Sequence, residues 1–281
     1  SHRGLTPTID PPKGGGAISG IGEKFAANPV SGTGSMSVPV ATSPGRSGFG
    51  PQLSIDYNSG SANGSFGFGW DLSLPAISRK TDKGLPRYRD AAESDTFILS
   101  GAEDLVPVLL PARNDWVRDI SAPRTMYGRR YTIHRYRPRV EGAFARVERW
   151  VNEADATDAF WRSISMDNVT TWYGRTAQSR IADPLDSARI FSWLICERHD
   201  DKGNAVFYDY KPEDSSGVDL TQVQERNRSE PGRSAQRYIK RIHYGNRTPY
   251  FPDLTGAEPL PAPTDWCFEV VFDYGEHDLL A

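Results

Sequence analysis

Short runs of alternating apolar and polar residues, separated by glycine and proline, are the feature that most limits how this chain can fold. The chain has 281 residues, with 26 glycines and 21 prolines. Met36, Val38 and Val40 share one face of an early run, and residues 53–57 repeat the alternation. A period of two is typical of strands that bury one face. The pattern therefore predicts many short strands rather than long helices.

Further strand candidates follow along the chain. Residues 189–196 are apolar on both faces, which indicates a central, buried strand. The turn sequence 200–204 separates this run from residues 205–210, so we predict a hairpin there. Residues 222–236 are polar without an apolar stripe, which favours a loop over a surface helix. The other predicted strands cover residues 71–77, 95–100, 104–110, 131–136, 143–151, 161–166, 170–173, 237–244 and 266–274.

These elements predict an all-β fold, with many short antiparallel strands in one large β-sheet domain and little helix. Residues 1–34 are rich in glycine and proline and are expected to form an extended arm. The β domain is then expected to occupy residues 35–281. Pro39 indicates an edge strand or a bulge, because proline cannot donate a hydrogen bond to a neighbouring strand.

Charge and hydropathy argue against several classes of partner. The net charge is −3 and the pI is about 6.0, which does not suggest a surface for nucleic acid. The arginines of residues 124–139 alternate with tyrosine and isoleucine, which favours a solvated strand face over a phosphate-binding patch. No stretch approaches the roughly 18 apolar residues of a membrane helix, so we expect no membrane insertion. Residues 1–16 lack the apolar centre of a signal peptide, so any export is expected to proceed without a cleaved signal.

Residue patterns for catalysis or metal binding are missing from the sequence. Cys196 and Cys267 both lie in apolar runs and are expected to be buried free thiols, although a disulfide between them stays open. The spacing of Cys196 and His199 suits zinc, but a zinc site needs about four ligands and no second pair appears. Neither a nucleotide-binding glycine motif nor a serine or zinc hydrolase motif occurs. We therefore predict no catalytic, cofactor-binding or metal-binding residues and no small-molecule substrate.

Aromatic residues alternate with glycine at Phe66, Phe68 and Trp70. On a strand the three rings would share one face, where they would fill a core. An exposed row of three rings would favour aggregation, so core packing is the preferred interpretation. A surface for a protein partner or a glycan is the alternative.

Four blocks of sequence carry a resemblance to a known family. They are residues 14–34, 43–70 and 95–107, with a weaker block at 237–246. Together they resemble the amino-terminal domain shared by the Salmonella plasmid virulence B protein and the B components of insecticidal toxin complexes. The resemblance implies a fragment of a longer, secreted bacterial virulence protein, with a β architecture like that of RHS-repeat toxin shells.

The resemblance also implies a role. In toxin complexes the B component is similar to a hollow β-shell that closes together with a C component and holds its toxic piece. Later domains of the B component dock onto a pore-forming A component. The expected function is thus a non-catalytic, structural one with protein partners. The alternative is the leader of a two-domain ADP-ribosylating toxin, whose transferase motifs, Glu-x-Glu or Gln-x-Glu and Ser-Thr-Ser, are absent here.

Overall fold

The computed structural model describes residues 24–28, 33–61, 63–64, 66–100, 103–113, 115–139, 144–215, 219–226 and 228–275. These residues form two compact units, one from positions up to 41 together with 52–73, and one from 42–51 together with 74 onward. Strands dominate both units, which confirms the predicted all-β class. The predicted division at residue 35 stays a prediction, and most of the predicted arm lies outside the described residues.

The smaller unit is an antiparallel sheet of four strands in the order β1-β2-β3-β6. Pro39 pairs with Ser54 of β3 but lies beyond the end of β1, so its missing N–H breaks no bond to that strand. A separate two-stranded ribbon joins β4 and β5. The strands of this unit are β1 (Lys24–Asn28), β2 (Thr33–Val40), β3 (Leu53–Asn58), β4 (Asn63–Gly64), β5 (Gly67–Phe68) and β6 (Trp70–Leu72).

The larger unit contains a 13-stranded antiparallel sheet and a two-stranded ribbon. Its strands are β7 (Ala76–Arg79), β8 (Phe97–Leu99), β9 (Glu103–Pro107), β10 (Leu109–Pro111), β11 (Trp116–Arg118), β12 (Ile120–Met126), β13 (Arg129–Pro138), β14 (Phe144–Asn152), β15 (Ala159–Ser165), β16 (Thr170–Tyr173), β17 (Arg180–Asp183), β18 (Asp186–His199), β19 (Ala205–Pro212), β20 (Arg237–Asn246) and β21 (Trp266–Val271). Among the described residues, the helices are α1 (Glu230–Ser234) and four 3₁₀ turns, Arg46–Gly48, Asp90–Ala92, Ala177–Ser179 and Val223–Glu225.

Eight strands of the large sheet close into a barrel. The order runs β16-β15-β14-β13-β9-β8-β7-β18, and β16 pairs again with β18, where Tyr173 lies opposite Ile195. Closure removes the free edges that an open sheet would expose. From β18 the sheet continues outward through β19, β20 and β21. The predicted hairpin is confirmed, since Glu197 of β18 pairs with Phe207 of β19.

Aromatic side chains fill the barrel. Phe97, Tyr136, Trp161 and Trp193 form edge-to-face contacts with centroid distances of 4.9–6.0 Å. All four are buried. Rings with an electron-rich face and a positive edge attract each other in this geometry, in addition to the free energy gained by burying them. The interior of this barrel is therefore a packed core and not a channel.

Several sequence-based expectations are wrong in detail, among them the loop predicted for residues 222–236, which contains the 3₁₀ turn Val223–Glu225 and the short helix α1. The predicted strand 71–77 is interrupted, because β6 pairs with β3 in one unit while β7 pairs with β8 and β18 in the other. The predicted strand 104–110 likewise divides into β9 and β10. Cys267 is exposed rather than buried, because β21 alternates and this thiol lies on its open face.

Candidate functional site

Charged side chains meet at one part of the barrel, beside the aromatic core. Arg79 of β7 is only 1% exposed, and its Nη1 donates to Asp90 at 2.5 Å and to Asp95 at 2.8 Å. Its Nε donates to the carbonyl oxygen of Ile190 at 2.7 Å. Arg149 of β14 reaches the same carboxylate of Asp90 at 2.5 Å. Two barrel strands thus hold the segment between β7 and β8 through shared carboxylates.

The rings of the core also face these cations. The guanidinium carbon of Arg79 lies 5.2 Å from the Phe97 ring centroid, and that of Arg149 lies at the same distance. Burial alone would raise the pKa of Asp90, but hydrogen bonds from Arg79 and the charges of both arginines outweigh it and lower the pKa to about 2. Asp90 is therefore ionised at neutral pH, which suits a structural anion and not a proton donor.

Two more carboxylates, those of Asp158 and Glu197, are likewise surrounded by hydrogen-bond donors. Asp158 accepts hydrogen bonds from Tyr131 at 2.7 Å, Asn152 at 3.0 Å and Arg180 at 3.2 Å. Burial would raise its pKa, but these donors and the charge of Arg180 lower it. The β14–β15 connection, which carries Asp158, is thereby fixed against β13 and β17.

Glu197 of β18 accepts from Arg175 at 2.7 Å, from Tyr250 at 3.1 Å and lies 3.1 Å from His199 Nδ1. Burial would raise the pKa of Glu197, but the hydrogen bond from His199 and the charge of Arg175 lower it. Sequence reasoning missed all three clusters. The paired arginines and carboxylates are far apart in the sequence, so no local sequence motif indicates these clusters.

The thiols differ in environment. Cys196 is buried in β18, and burial raises the pKa of its thiol to about 11, so it stays protonated and unreactive at neutral pH. Cys267 is exposed, and both cysteines are free. The disulfide that the sequence left open is not present between them.

The predicted aromatic surface is divided between elements. Phe66 lies in a turn, Phe68 in β5 and Trp70 in β6, so the prediction that they share one strand face is wrong. Gly67 and Gly69 adopt φ values of +108° and +77°, which interrupt a regular strand. Trp70 packs against Tyr57 with centroids 5.2 Å apart, whereas Phe68 is 68% exposed. Contact of these rings with a partner stays a prediction.

In the part of the chain that the structure describes, no group of three or more histidine, cysteine, aspartate or glutamate side chains is arranged to hold a metal ion. No described helix is both long and apolar enough to cross a membrane. The prediction that the chain carries no catalytic, cofactor or metal residues stays a prediction.

Comparison with known proteins identifies the family. Residues 28–280 match the family described as the Salmonella virulence plasmid 65kDa B protein, SpvB. This chain belongs to the SpvB family. The Mono(ADP-ribosyl)transferase SpvB of Salmonella typhimurium strain 14028s is 36% identical over 273 residues, and the SpvB of Salmonella dublin is equally similar. These alignments take in 94% of this chain but 42% of those relatives, so the SpvB-family domain described here spans less than half of their length.

Solved structures share the fold of this SpvB-family domain. The crystal structure of TcdB2-TccC3 has a TM-score of 0.76 and 32% identity, over 98% of this chain and 12% of that one. The amino-terminal domain of the effector protein SpvB from Salmonella typhimurium strain LT2 has a TM-score of 0.69 and 33% identity, over 87% of this chain and 76% of that one. These matches confirm the resemblance to toxin B components that the sequence indicated.

Proposed function

We propose that the chain is a non-catalytic structural domain of a bacterial toxin protein and forms part of the wall of a B-component shell. The likeness to TcdB2-TccC3, a TM-score of 0.76 over 98% of the chain, is the observation that carries this proposal. The packed barrel supports it, because buried rings and paired charges make a rigid wall. In this role the wall helps enclose and deliver a toxic piece of a C component.

The partners in this proposal are proteins. A C component would close the shell with the B component, and an A component would be engaged through regions outside this domain. A structure of the Photorhabdus luminescens Tc holotoxin pore matches 99% of the chain with a TM-score of 0.74, which supports a place in such an assembly. Extracellular delivery without a cleaved signal peptide belongs to the same proposal.

A second candidate is the non-catalytic leader of a two-domain ADP-ribosylating toxin. The observation that favours it is the 36% identity with proteins named Mono(ADP-ribosyl)transferase SpvB, of which this chain spans 42%. A glycan-binding module has less support. Phe68 is exposed, but Trp70 is packed against Tyr57, so the three aromatic residues do not form one flat platform.

Expression of the complete gene together with a C-component gene tests the shell. If the domain is part of a shell, the two proteins co-elute, and the toxic piece of the C component resists a protease that degrades it when it is expressed alone. A B-type protein that stays monomeric and leaves the C component sensitive to the protease would refute the shell. An intact transferase activity in the remaining part of the gene would then select the leader role.

A further inference from the structure

A hairpin of strands β10 and β11 loops out of the barrel wall. Strands β9 and β12 both pair with β13 on the same side, and the hairpin lies between them in the chain. At the branch point, the backbone N–H of Val108 donates to the carbonyl oxygen of Arg135, and the N–H of Arg135 donates to the carbonyl oxygen of Asp119. The barrel thus continues past the hairpin, which is not needed to close it.

The hairpin carries exposed apolar side chains on both faces. Leu110 pairs with Val117 on one face. Leu109 and Trp116 lie on the other, where Arg118 stands opposite Leu109 and is ion-paired with Glu93. All four apolar side chains are exposed, from 45% for Leu110 to 63% for Trp116. A two-stranded ribbon in water normally turns a polar face to the solvent, and adjoining exposed apolar side chains indicate a contact surface. Tryptophan is also among the side chains that contribute most to protein interfaces.

A groove lies along the Trp116 face. It has a volume of about 500 Å³ and is lined by Pro107, Val108, Leu109, Trp116 and Arg137. The groove is open to solvent, and its lining places one cation beside four apolar side chains. The groove lies wholly within the larger unit.

Arg137 is the positively charged residue of the groove lining, and its guanidinium can bind a partner. Arg135 of β13 lies 3.6 Å from Asp119, and Arg139, just after β13, lies 3.4 Å from Asp104. Arg137 lies between them, is exposed, and forms no ion pair within the described part of the chain. A guanidinium can bind a carboxylate through two parallel hydrogen bonds, which makes an acidic group the complementary partner.

We propose that this groove, formed by the β10–β11 hairpin and Arg137, binds a protein segment in which a carboxylate lies beside apolar side chains. The apolar side chains cover Trp116 and Leu109, and the carboxylate pairs with Arg137. A membrane surface fits less well. Binding to anionic lipid gains about 1 kcal/mol for each free cation near the surface, and the neighbouring arginines are already paired.

The proposal rests on the proposed function only in taking the occupant to be a protein. Its test uses the 281-residue chain and a fluorescein-labelled peptide in which aspartate alternates with leucine and phenylalanine. Fluorescence anisotropy at physiological ionic strength should show saturable binding. A peptide with lysine in place of aspartate and one with serine in place of leucine and phenylalanine should bind at least about tenfold more weakly, since each lacks one of the two contacts.

Variants of the groove locate the binding. Arg137→Gln and Trp116→Ala should each weaken binding about tenfold, as expected for residues at the centre of an interface. Arg139→Gln is the matched control, because Arg139 is two residues from Arg137, is 73% exposed and does not line the groove. It should change binding less than twofold. Circular dichroism should show the same fold in all three variants.

Several results would overturn the proposal. These are equal binding by Arg137→Gln and the unchanged protein, equal binding of the lysine peptide, or no binding of any peptide. Binding only to vesicles of phosphatidylcholine and phosphatidylserine would assign the hairpin to a membrane instead. The shell assay measures co-elution and protease protection, whereas the peptide titration measures binding at the groove. Either one can therefore fail while the other succeeds, so the two failures are distinguishable.

Discussion

Replacing Arg79 with methionine tests whether the buried charges hold the barrel together. Methionine keeps an unbranched apolar stem but removes the guanidinium, which donates to Asp90, Asp95 and the carbonyl of Ile190. Removing one partner of a buried ion pair usually costs about 3–5 kcal/mol. Asp90 keeps Arg149, and Asp95 keeps two backbone N–H donors, so we expect the lower end, about 3 kcal/mol.

The assay is urea unfolding followed by tryptophan fluorescence, since Trp193 lies beside this cluster. The control is Arg139→Met, which removes the charge of a surface arginine whose side chain is 73% exposed. We expect the control to leave the unfolding midpoint where it is. A loss of less than about 1 kcal/mol in Arg79→Met would refute the reasoning, because it would show that the ionised pair adds little over an apolar side chain of similar length.

The same variant has a pH signature. The pKa of Asp90 is about 2 in the folded protein against an ordinary value of 3.8, so its stabilisation is complete well above pH 3.8 and is lost as the pH falls through 2. The shift corresponds to about 1–2 kcal/mol once the partial exposure of Asp90 is allowed for. In Arg79→Met the pKa of Asp90 should move back towards 3.8, so the loss of stability between pH 6 and pH 2.5 should be smaller than in the unchanged protein. An equal loss would contradict this assignment.

Two further predictions concern thiols and a turn. A maleimide should label Cys267 but not Cys196 in the folded protein, because only Cys267 is exposed. In guanidinium it should label both thiols. Labelling of Cys196 without denaturant would show that β18 opens. Gly174→Ala should lower the free energy of unfolding by at least about 3 kcal/mol, because its φ is +65° and an added Cβ would lie 2.8 Å from Trp193 Cβ. Gly128→Ala is the control, because Gly128 has a φ of +73° but an added Cβ there would have no atom within 4 Å. It should cost only about 1 kcal/mol. Equal losses for the two variants in urea unfolding would refute the steric explanation.

Alternation of apolar residues predicted most strands, because a strand that buries one face leaves its period in the sequence. It could not tell which strands pair. The residues 71–77 look like one strand, yet Trp70–Leu72 and Ala76–Arg79 join different sheets. Barrel closure through Tyr173 and Ile195 depends on the register of a long strand with two partners on each side. Such pairing is set by packing in three dimensions and has no local signal.

The candidate site was harder to predict than the fold. Arg79 and Glu197 look like surface charges in the sequence, and their burial depends on ion-pair partners such as Asp90 and Arg175 that the sequence does not place beside them. The run from Phe66 to Trp70 looks like one strand face, but positive φ at its glycines turns the backbone. Family resemblance supplied the toxin context, and it was confirmed; it supplied no information about the exposed hairpin at Trp116.

The packed interior restricts how this domain can serve a shell. An eight-stranded barrel has an interior that side chains can fill, and here four aromatic residues and two arginines occupy it. A toxic protein piece therefore has no room inside this barrel. If the domain helps enclose such a piece, it does so as one part of a wall, through its outer surfaces and its contacts with other parts of the assembly. The exposed hairpin and Arg137, which has no ion pair among the described residues, lie on that outer surface, so variants there should impair assembly while leaving the fold intact.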